Sequence, residues 1–460
     1  MGCKLLHNSQ TVRSIGWIPI ATSLFVLAVF FFGGASRSDE FSQYFVRFSS
    51  AVLLFALALY GRRMVDGFPY KILLLFCALA AILLVQLVPL PGGVWRYLPG
   101  REVFADVDIL IHGSPLWRPI SLSPLATINS LMSLVVPGTA IFLCAQFRSF
   151  HVNAIMICMA IVITISAIIC IIQISGLKWP TPYQIVATEP VFGIFANRNN
   201  QSLLLAIGIP ILGYFARLKG QSSTRQYAVH LLCLAGIMMF ISLIFIIGSR
   251  TGVIFALVGT VGALAIMHRE KNGTWPIKSN RLRFFSRLSF AAIVLTVLVF
   301  LALNPQAESF ERFYRFSVIQ DYRLVLLPDF FALAWKYFPL GSGGGTFAAA
   351  YRLDEGVASL GPKFLNHAHN DFVEVLIEFG FLGGVLLIFL TAWLISSVRS
   401  IWFTECFLDD VHLSGRVMSV VGLLLLIASI VDYPLRTPIF QTLAVFCIWF
   451  LWLPSTVRRL

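Results

Sequence analysis

Charge is scarce in this sequence, and acidic charge scarcest. Asp and Glu together number 21 against 34 Lys and Arg, and the four types make up only 12% of 460 residues. An ordinary soluble domain carries about 25% charged residues. A soluble chain with 58% hydrophobic residues would expose large apolar patches and aggregate, so bilayer is the solvent that fits. Cysteine is sparse too. Of eight, seven (Cys77, Cys144, Cys158, Cys170, Cys233, Cys406 and Cys447) lie in or beside apolar runs and Cys3 near the start. The polar stretches therefore hold no disulfide framework and no CxxC metal spacing. No GK[ST] follows the glycine run GSGGG at 341–345, which excludes a nucleotide-binding P-loop and with it an ATP-driven engine. Asp106 and Asp108 have DxD spacing but no supporting context, so no cofactor and no metal are expected. The start MGCKLLHNSQ lacks the Ser or Thr of a myristoylation signal. The first apolar run has no small-residue cleavage site followed by a soluble domain and reads as a retained helix.

The formal net charge is +13. The basic residues sit in short clusters between apolar runs, which fits lipid head groups and topology control and argues against nucleic-acid partners. A membrane-crossing helix needs about 20 mostly apolar residues. Such spans are predicted near 15–34, 44–60, 70–90, 124–146, 153–174, 199–216, 227–248, 251–267, 287–304, 371–396, 415–432 and 438–454. The fold class is therefore an all-α polytopic membrane protein of about 12 transmembrane helices, with residues 1–460 forming one integral membrane domain. Positive clusters such as Arg62–Arg63, Arg217–Lys219 and Arg269–Arg287 belong on the cytoplasmic side by the positive-inside rule. Both termini are then cytoplasmic, and segments 91–123, 175–198 and 305–370 lie outside. The last is a large, partly helical periplasmic loop inserted between spans 9 and 10, too long for a connection without a role.

The end of that loop reads NHAHNDFVEVLIEFGFLGG, residues 366–384. His369 sits at the water interface where a helix begins. Asn370, Glu374 and Glu378 recur every four residues and share one face. Carboxylates descending into a bilayer need partners or a wet cavity, and Gly380, Gly383 and Gly384 permit close approach of another backbone. His-Asn, nine residues, then Gly-x-x-Gly resembles the pattern that the O-antigen ligase and Wzy-type polymerase superfamily carries after its large periplasmic loop. The likeness is best over residues 190–400; over the first 120 it is limited to hydropathy and the run QLVPLPGGVW.

The resemblance implies a catalytic base at His369, which alone has the spacing although His367 is its neighbour. It implies an essential arginine at Arg250, in the setting GSRTGV (248–253), whose forked guanidinium suits phosphate oxygens. It implies a second leaving-group arginine at Arg323, which is followed by Trp335 and Pro339-Leu-Gly-Ser-Gly-Gly-Gly345. Arg198, in FANRNNQS (195–202), becomes a further phosphate or saccharide contact, and Asn370, His367 and Glu374 are substrate-binding candidates. The stretch from 321 to 338 is expected to be an amphipathic interfacial helix, and the glycines after it to let backbone pack near a bulky ligand.

What the family does then sets the functional expectation: a metal-independent, inverting glycosyltransferase in the bacterial inner membrane, with its site facing the periplasm. Its donor is a saccharide linked to polyprenyl diphosphate (undecaprenyl diphosphate in bacteria). Its acceptor is a sugar hydroxyl, on a saccharide or on lipid A–core, with membrane lipid and polysaccharide-assembly proteins as partners. The product is O-antigen or exopolysaccharide, made by polymerisation or ligation, and the sequence leaves that choice open. A transporter or flippase of lipid-linked glycans and a protein O-oligosaccharyltransferase are the alternatives.

Overall fold

The computed structural model describes residues 17–37, 40–61, 70–147, 151–177, 183, 191–218, 223–268, 325–356, 365–403 and 410–457. These residues form helices almost throughout, in the order α1 (Trp17–Phe32), α2 (Phe41–Tyr60), α3 (Tyr70–Gln86), α4 (Glu102–His112), α5 (Pro124–Ser133), α6 (Val135–Cys144) and α7 (Val152–Ile174). There follow α8 (Arg198–Arg217), α9 (Ser223–Ile247), α10 (Arg250–His268), α11 (Leu327–Lys336), α12 (Phe347–Asp354), α13 (Asp371–Phe403), α14 (Asp410–Val431) and α15 (Pro438–Val457). One two-residue hairpin ladder, Pro89–Leu90 against Arg118–Pro119, braces the segment between α3 and α5.

Among the described residues, seven stretches are long and apolar enough to cross a membrane: α2, α5 with α6, α7, most of α9, most of α10, α13 and α14. Three shorter apolar helices, Trp17–Phe32, Tyr70–Gln86 and Pro438–Pro454, run beside them. Helix α8 has the length of a span, but its first turn (Arg198, Asn199, Asn200, Gln201) is polar. The expected span 287–304 and loop residues 305–324 and 357–364 lie outside the described residues.

The core follows from this apolar excess. Helix α8 is buried nearly all round, among them Leu203, Leu204, Ile207 and Ile211, and packs against α9, α10 and α14. Helix α15 fills the space between α14 and α6, and α2 covers α6. A helix that is hydrophobic on every face must be sheathed by others, which makes α8 the centre of the bundle. A second, smaller core gathers Phe330, Leu333, Tyr337, Phe347, Tyr351, Val373 and Ile377 beneath α11 and α12. Helix α11 is amphipathic as the sequence predicts: Phe330 and Leu333 point inward, whereas Phe331 and Trp335 are exposed.

Helix α13 breaks at Gly380, whose φ of 57° and ψ of −137° are not helical. The break reroutes the backbone ladder. Phe381 N–H donates to Pro339 O at 2.8 Å, not to Ile377 O, and the carbonyls of Ile377 and Glu378 accept from Ser342 N–H (2.8 Å) and Gly343 N–H (3.0 Å). Buried backbone groups must find partners in this way. The glycine run 341–345 packs closely against this break. A side chain on Gly341 would strike Glu378 O, one on Gly343 would strike Ser121, and one on Gly345 would strike Ser130. These glycines bring the 341–345 backbone against α13 and the 121–130 segment.

Gln86 completes the clasp, donating to Glu378 O (2.9 Å) and accepting from Gly344 N–H (2.9 Å). Arg101, fully buried, donates to Pro99 O, Ile120 O and Gly341 O. Burial lowers its pKa to about 10, and the three carbonyls explain why a guanidinium is tolerated there. Asp108 is held well below the usual carboxylate range by the forked hydrogen bonds of Arg118 at 2.7 and 2.5 Å. Both Asp108 oxygens are thus occupied by that arginine.

Candidate active site

The beginnings of three helices, carrying Arg198, Arg250 and Asn370, are linked next to His369. Asn197 caps α8 by accepting from Asn199 N–H at 2.9 Å, which places Arg198 in the first turn. Arg250 opens α10 directly after the turn at Gly248, a position with φ of 74° that favours glycine. Asn370 precedes α13, and its Oδ1 accepts from Phe372 N–H and Val373 N–H, both at 3.1 Å. Each helix start directs its unsatisfied N–H groups and positive dipole end outward.

Side chains link these starts. Ser249 Oγ donates to Asn199 Oδ1 (2.8 Å), and Asn199 Nδ2 donates to Asp432 Oδ2 (2.8 Å). Asn197 Nδ2 donates to the same oxygen at 3.3 Å. Asp432 Oδ1 takes Tyr433 N–H (3.0 Å) and the Nδ1 of His369 (3.3 Å). A carboxylate can only accept, so His369 Nδ1 is the donor, which in the neutral imidazole leaves Nε2 as the acceptor. His369 itself has φ of 50°, a left-handed conformation that costs a non-glycine residue about 1–2 kcal/mol. Strain of this kind persists only where the surroundings over-determine it.

His367 has a parallel arrangement. Its Nδ1 lies 2.8 Å from Glu374 Oε1, and Glu374 Oε2 accepts from Ala368 N–H at 3.0 Å. Tyr433 packs against both histidines, with ring centroids 4.3 Å from His367 and 4.8 Å from His369. The face of Asn370, Glu374 and Glu378 read from the sequence leads to Arg436 in the short helical turn Pro434–Arg436. Arg436 Nη2 lies 3.0 Å from Glu374 Oε1 and 2.9 Å from Glu378 Oε2. Both glutamates are only 1% exposed. Glu374 is consequently occupied by protein partners on both oxygens, and Asn370 by helix capping.

Arg323 lies outside the described residues. Arg198 and Arg250 are half-buried at their helix starts, adjacent in the chain to Asn199 and Ser249 of the hydrogen-bonded chain. Asp432, Tyr433 and Arg436 were not anticipated. The signal was the run DYPLRTP (432–438): an acid and a base five residues from the end of one apolar run to the start of the next, in a chain where charge is rare. Asn197 and Asn199 stand in the Asn-rich stretch that drew attention to Arg198.

A family model described as O-antigen ligase matches residues 234–388. Over that stretch the chain is similar to the O-antigen ligase family. The match runs from within α9 through α10, α11 and α12 to the first half of α13, so Arg250 and His369 both fall within it, as does Arg323. Asp432 and Arg436 lie between α14 and α15, beyond the matched stretch, and reach back to His369 and to the glutamates of the matched segment. No curated protein matches the chain. The apolar helices and this similarity together point to a multi-pass membrane protein.

Proposed function

We propose that this protein is an inverting glycosyltransferase that moves a saccharide from a polyprenyl-diphosphate donor to a sugar hydroxyl at the periplasmic face of the inner membrane. The observation that carries the reading is the His369–Asp432 pair at the meeting point of three helix starts, two of which begin with arginine. In the proposed step, His369 Nε2 takes the proton of the acceptor hydroxyl as its oxygen bonds to the anomeric carbon. The bond from that carbon to the diphosphate oxygen breaks on the opposite face, and the electron pair leaves with the lipid diphosphate. Attack opposite the leaving group inverts the anomeric centre.

Each partner has a physical task. Asp432 holds the imidazole in the tautomer that leaves Nε2 basic and stabilises the imidazolium that forms. Arg250 and Arg323 stabilise charge developing on the departing diphosphate, and such electrostatic help is the largest contribution available when the leaving group is already good. Arg198 adds a contact to phosphate or saccharide. The helix starts of α8 and α10 favour an anion in the same place. The glycan product serves O-antigen or exopolysaccharide assembly, by polymerisation or ligation.

The test is glycan chain length in a deletion strain complemented with wild-type or His369→Ala protein. Wild type should restore polymer and the variant should not, while both insert equally. Restoration by His369→Ala would remove the base from the mechanism.

A further inference from the structure

Glu374 stands in the first turn of α13 and is enclosed by the protein, its side chain only 1% exposed. A carboxylate so enclosed does not touch a substrate. Its hydrogen bonds run instead to the loop in front of the helix. Oε2 accepts from Ala368 N–H at 3.0 Å, and Oε1 accepts from His367 Nδ1 at 2.8 Å. A glutamate early in a helix reaches back over the preceding residues in the same manner in a capping box. Here the residues it grips are the two immediately before His369.

That loop holds the strained position. Among the described residues, His369 is the one non-glycine at positive φ. On its other side Asn370 is tied to the same turn of α13: Oδ1 accepts from Phe372 N–H and Val373 N–H, and its carbonyl accepts from Glu374 N–H at 3.0 Å. The left-handed backbone at His369 is thus fixed from both flanks, which is the condition for such strain to persist.

A second tie leaves the loop for the turn that carries Asp432. Glu374 Oε1 also meets Arg436 Nη2 at 3.0 Å. Two polar bridges therefore join the same pair of segments, His369–Asp432 at 3.3 Å and Glu374–Arg436 at 3.0 Å. The Tyr433 ring packs against His367 and His369 between them. At 3.3 Å the His369–Asp432 contact lies beyond the usual range of an N–H···O bond. It does not fix its own geometry; the buried ion pair behind it does.

We propose that Glu374 is a positioning residue for the transfer reaction: with Arg436 it clamps the His367–Ala368 backbone and thereby holds His369 Nδ1 against Asp432. His367 is a strut of this clamp. The inference rests on His369 being the base of the proposed transfer and adds what keeps it in place.

Glu374→Gln tests it, because an amide has one acceptor oxygen and cannot serve Ala368 N–H and the His367–Arg436 side together. Glu378→Gln is the control. Glu378 is equally buried, on the same face of α13 and 2.9 Å from the same Arg436 nitrogen, but its hydrogen bonds go to Arg436 and Phe347 N–H and not to the loop. Both variants should unfold at lower temperature than wild type. Glu374→Gln should also lower kcat about tenfold or more, as small misplacements of a reacting group do, with both KM values unchanged; Glu378→Gln should keep kcat near wild type. Added to Asp432→Asn, Glu374→Gln should cost little further, since both act through one imidazole.

A second readout needs no turnover. Nitrogen NMR of nanodisc-embedded protein carrying isotope-labelled histidine, with His369 assigned by its loss in His369→Gln, reports the tautomer directly. At a pH where the ring is neutral, wild type and Glu378→Gln should show His369 protonated at Nδ1, and Glu374→Gln a mixture of Nδ1- and Nε2-protonated rings. An unchanged His369 signal in Glu374→Gln, an equal loss of kcat in Glu378→Gln, or full additivity with Asp432→Asn would each overturn the assignment. Absence of transfer by wild-type protein whose His369 signal responds as expected would fault the transferase reading and leave the clamp standing.

Discussion

Removing the guanidinium of Arg436 should be among the most damaging single changes outside the histidines. One nitrogen, Nη2, lies 3.0 Å from Glu374 and 2.9 Å from Glu378, and each carboxylate is 1% exposed against 22% for the arginine. Breaking a buried ion pair by deleting one partner costs about 3–5 kcal/mol, because the remaining charge is stranded. Here two carboxylates would be stranded, both on the α13 face that also carries His367 through Glu374. Arg436→Met should therefore destabilise the protein by at least that amount. Glu378→Gln in the Arg436→Met background should recover part of the loss, since it removes one stranded charge. Glu378→Gln alone should cost less than Arg436→Met, because Glu374 still pairs with the arginine. The assay is thermal unfolding in detergent, followed by fluorescence-detected size exclusion, completed as a double-mutant cycle. Coupling near zero, or wild-type stability in Arg436→Met, would refute the reasoning.

Other outcomes follow from the same geometry. Asp432→Asn should lower the turnover number far more than it raises either KM, since it disturbs the His369 tautomer and not substrate contacts; steady-state kinetics would separate the two. Arg250→Ala and Arg323→Ala should lose more activity than the corresponding lysine variants, and equal activities would argue against a charge role. Gly380→Ala should destabilise by more than about 2 kcal/mol, because its backbone has φ of 57° and an added Cβ would sit 2.1 Å from Pro339 O; thermal unfolding reports it. Arg101→Met should also unfold at lower temperature, leaving the carbonyls of Ile120 and Gly341 without their donor.

Much of the helical framework can be read from hydropathy, because apolar runs near 20 residues have one stable solution in a bilayer. The four-residue spacing of Asn370, Glu374 and Glu378 correctly places the carboxylates on one face needing a partner. It does not say that the partner lies 58 residues away, in Arg436. Asp432 reads locally as the end of an apolar run, and its bond to His369 is a long-range fact that spacing does not carry. The glycine run 341–345 leaves its partner open for a related reason. Glycine permits close approach of any backbone, and the sequence does not distinguish α13 from a ligand. Arg250 and Arg198 are legible as helix-start arginines, whereas Arg323 and span 287–304 fall outside the described residues.

The central claim is that an imidazole oriented by Asp432 catalyses transfer from a lipid diphosphate. The most direct measurement is product formation by purified protein in nanodiscs, given a radiolabelled polyprenyl-diphosphate oligosaccharide and a lipid-linked acceptor. Wild type should extend the acceptor with inverted anomeric configuration, and His369→Ala should bind both substrates yet form no product. Extension by His369→Ala at the wild-type rate, or retention of configuration by the wild type, would contradict it.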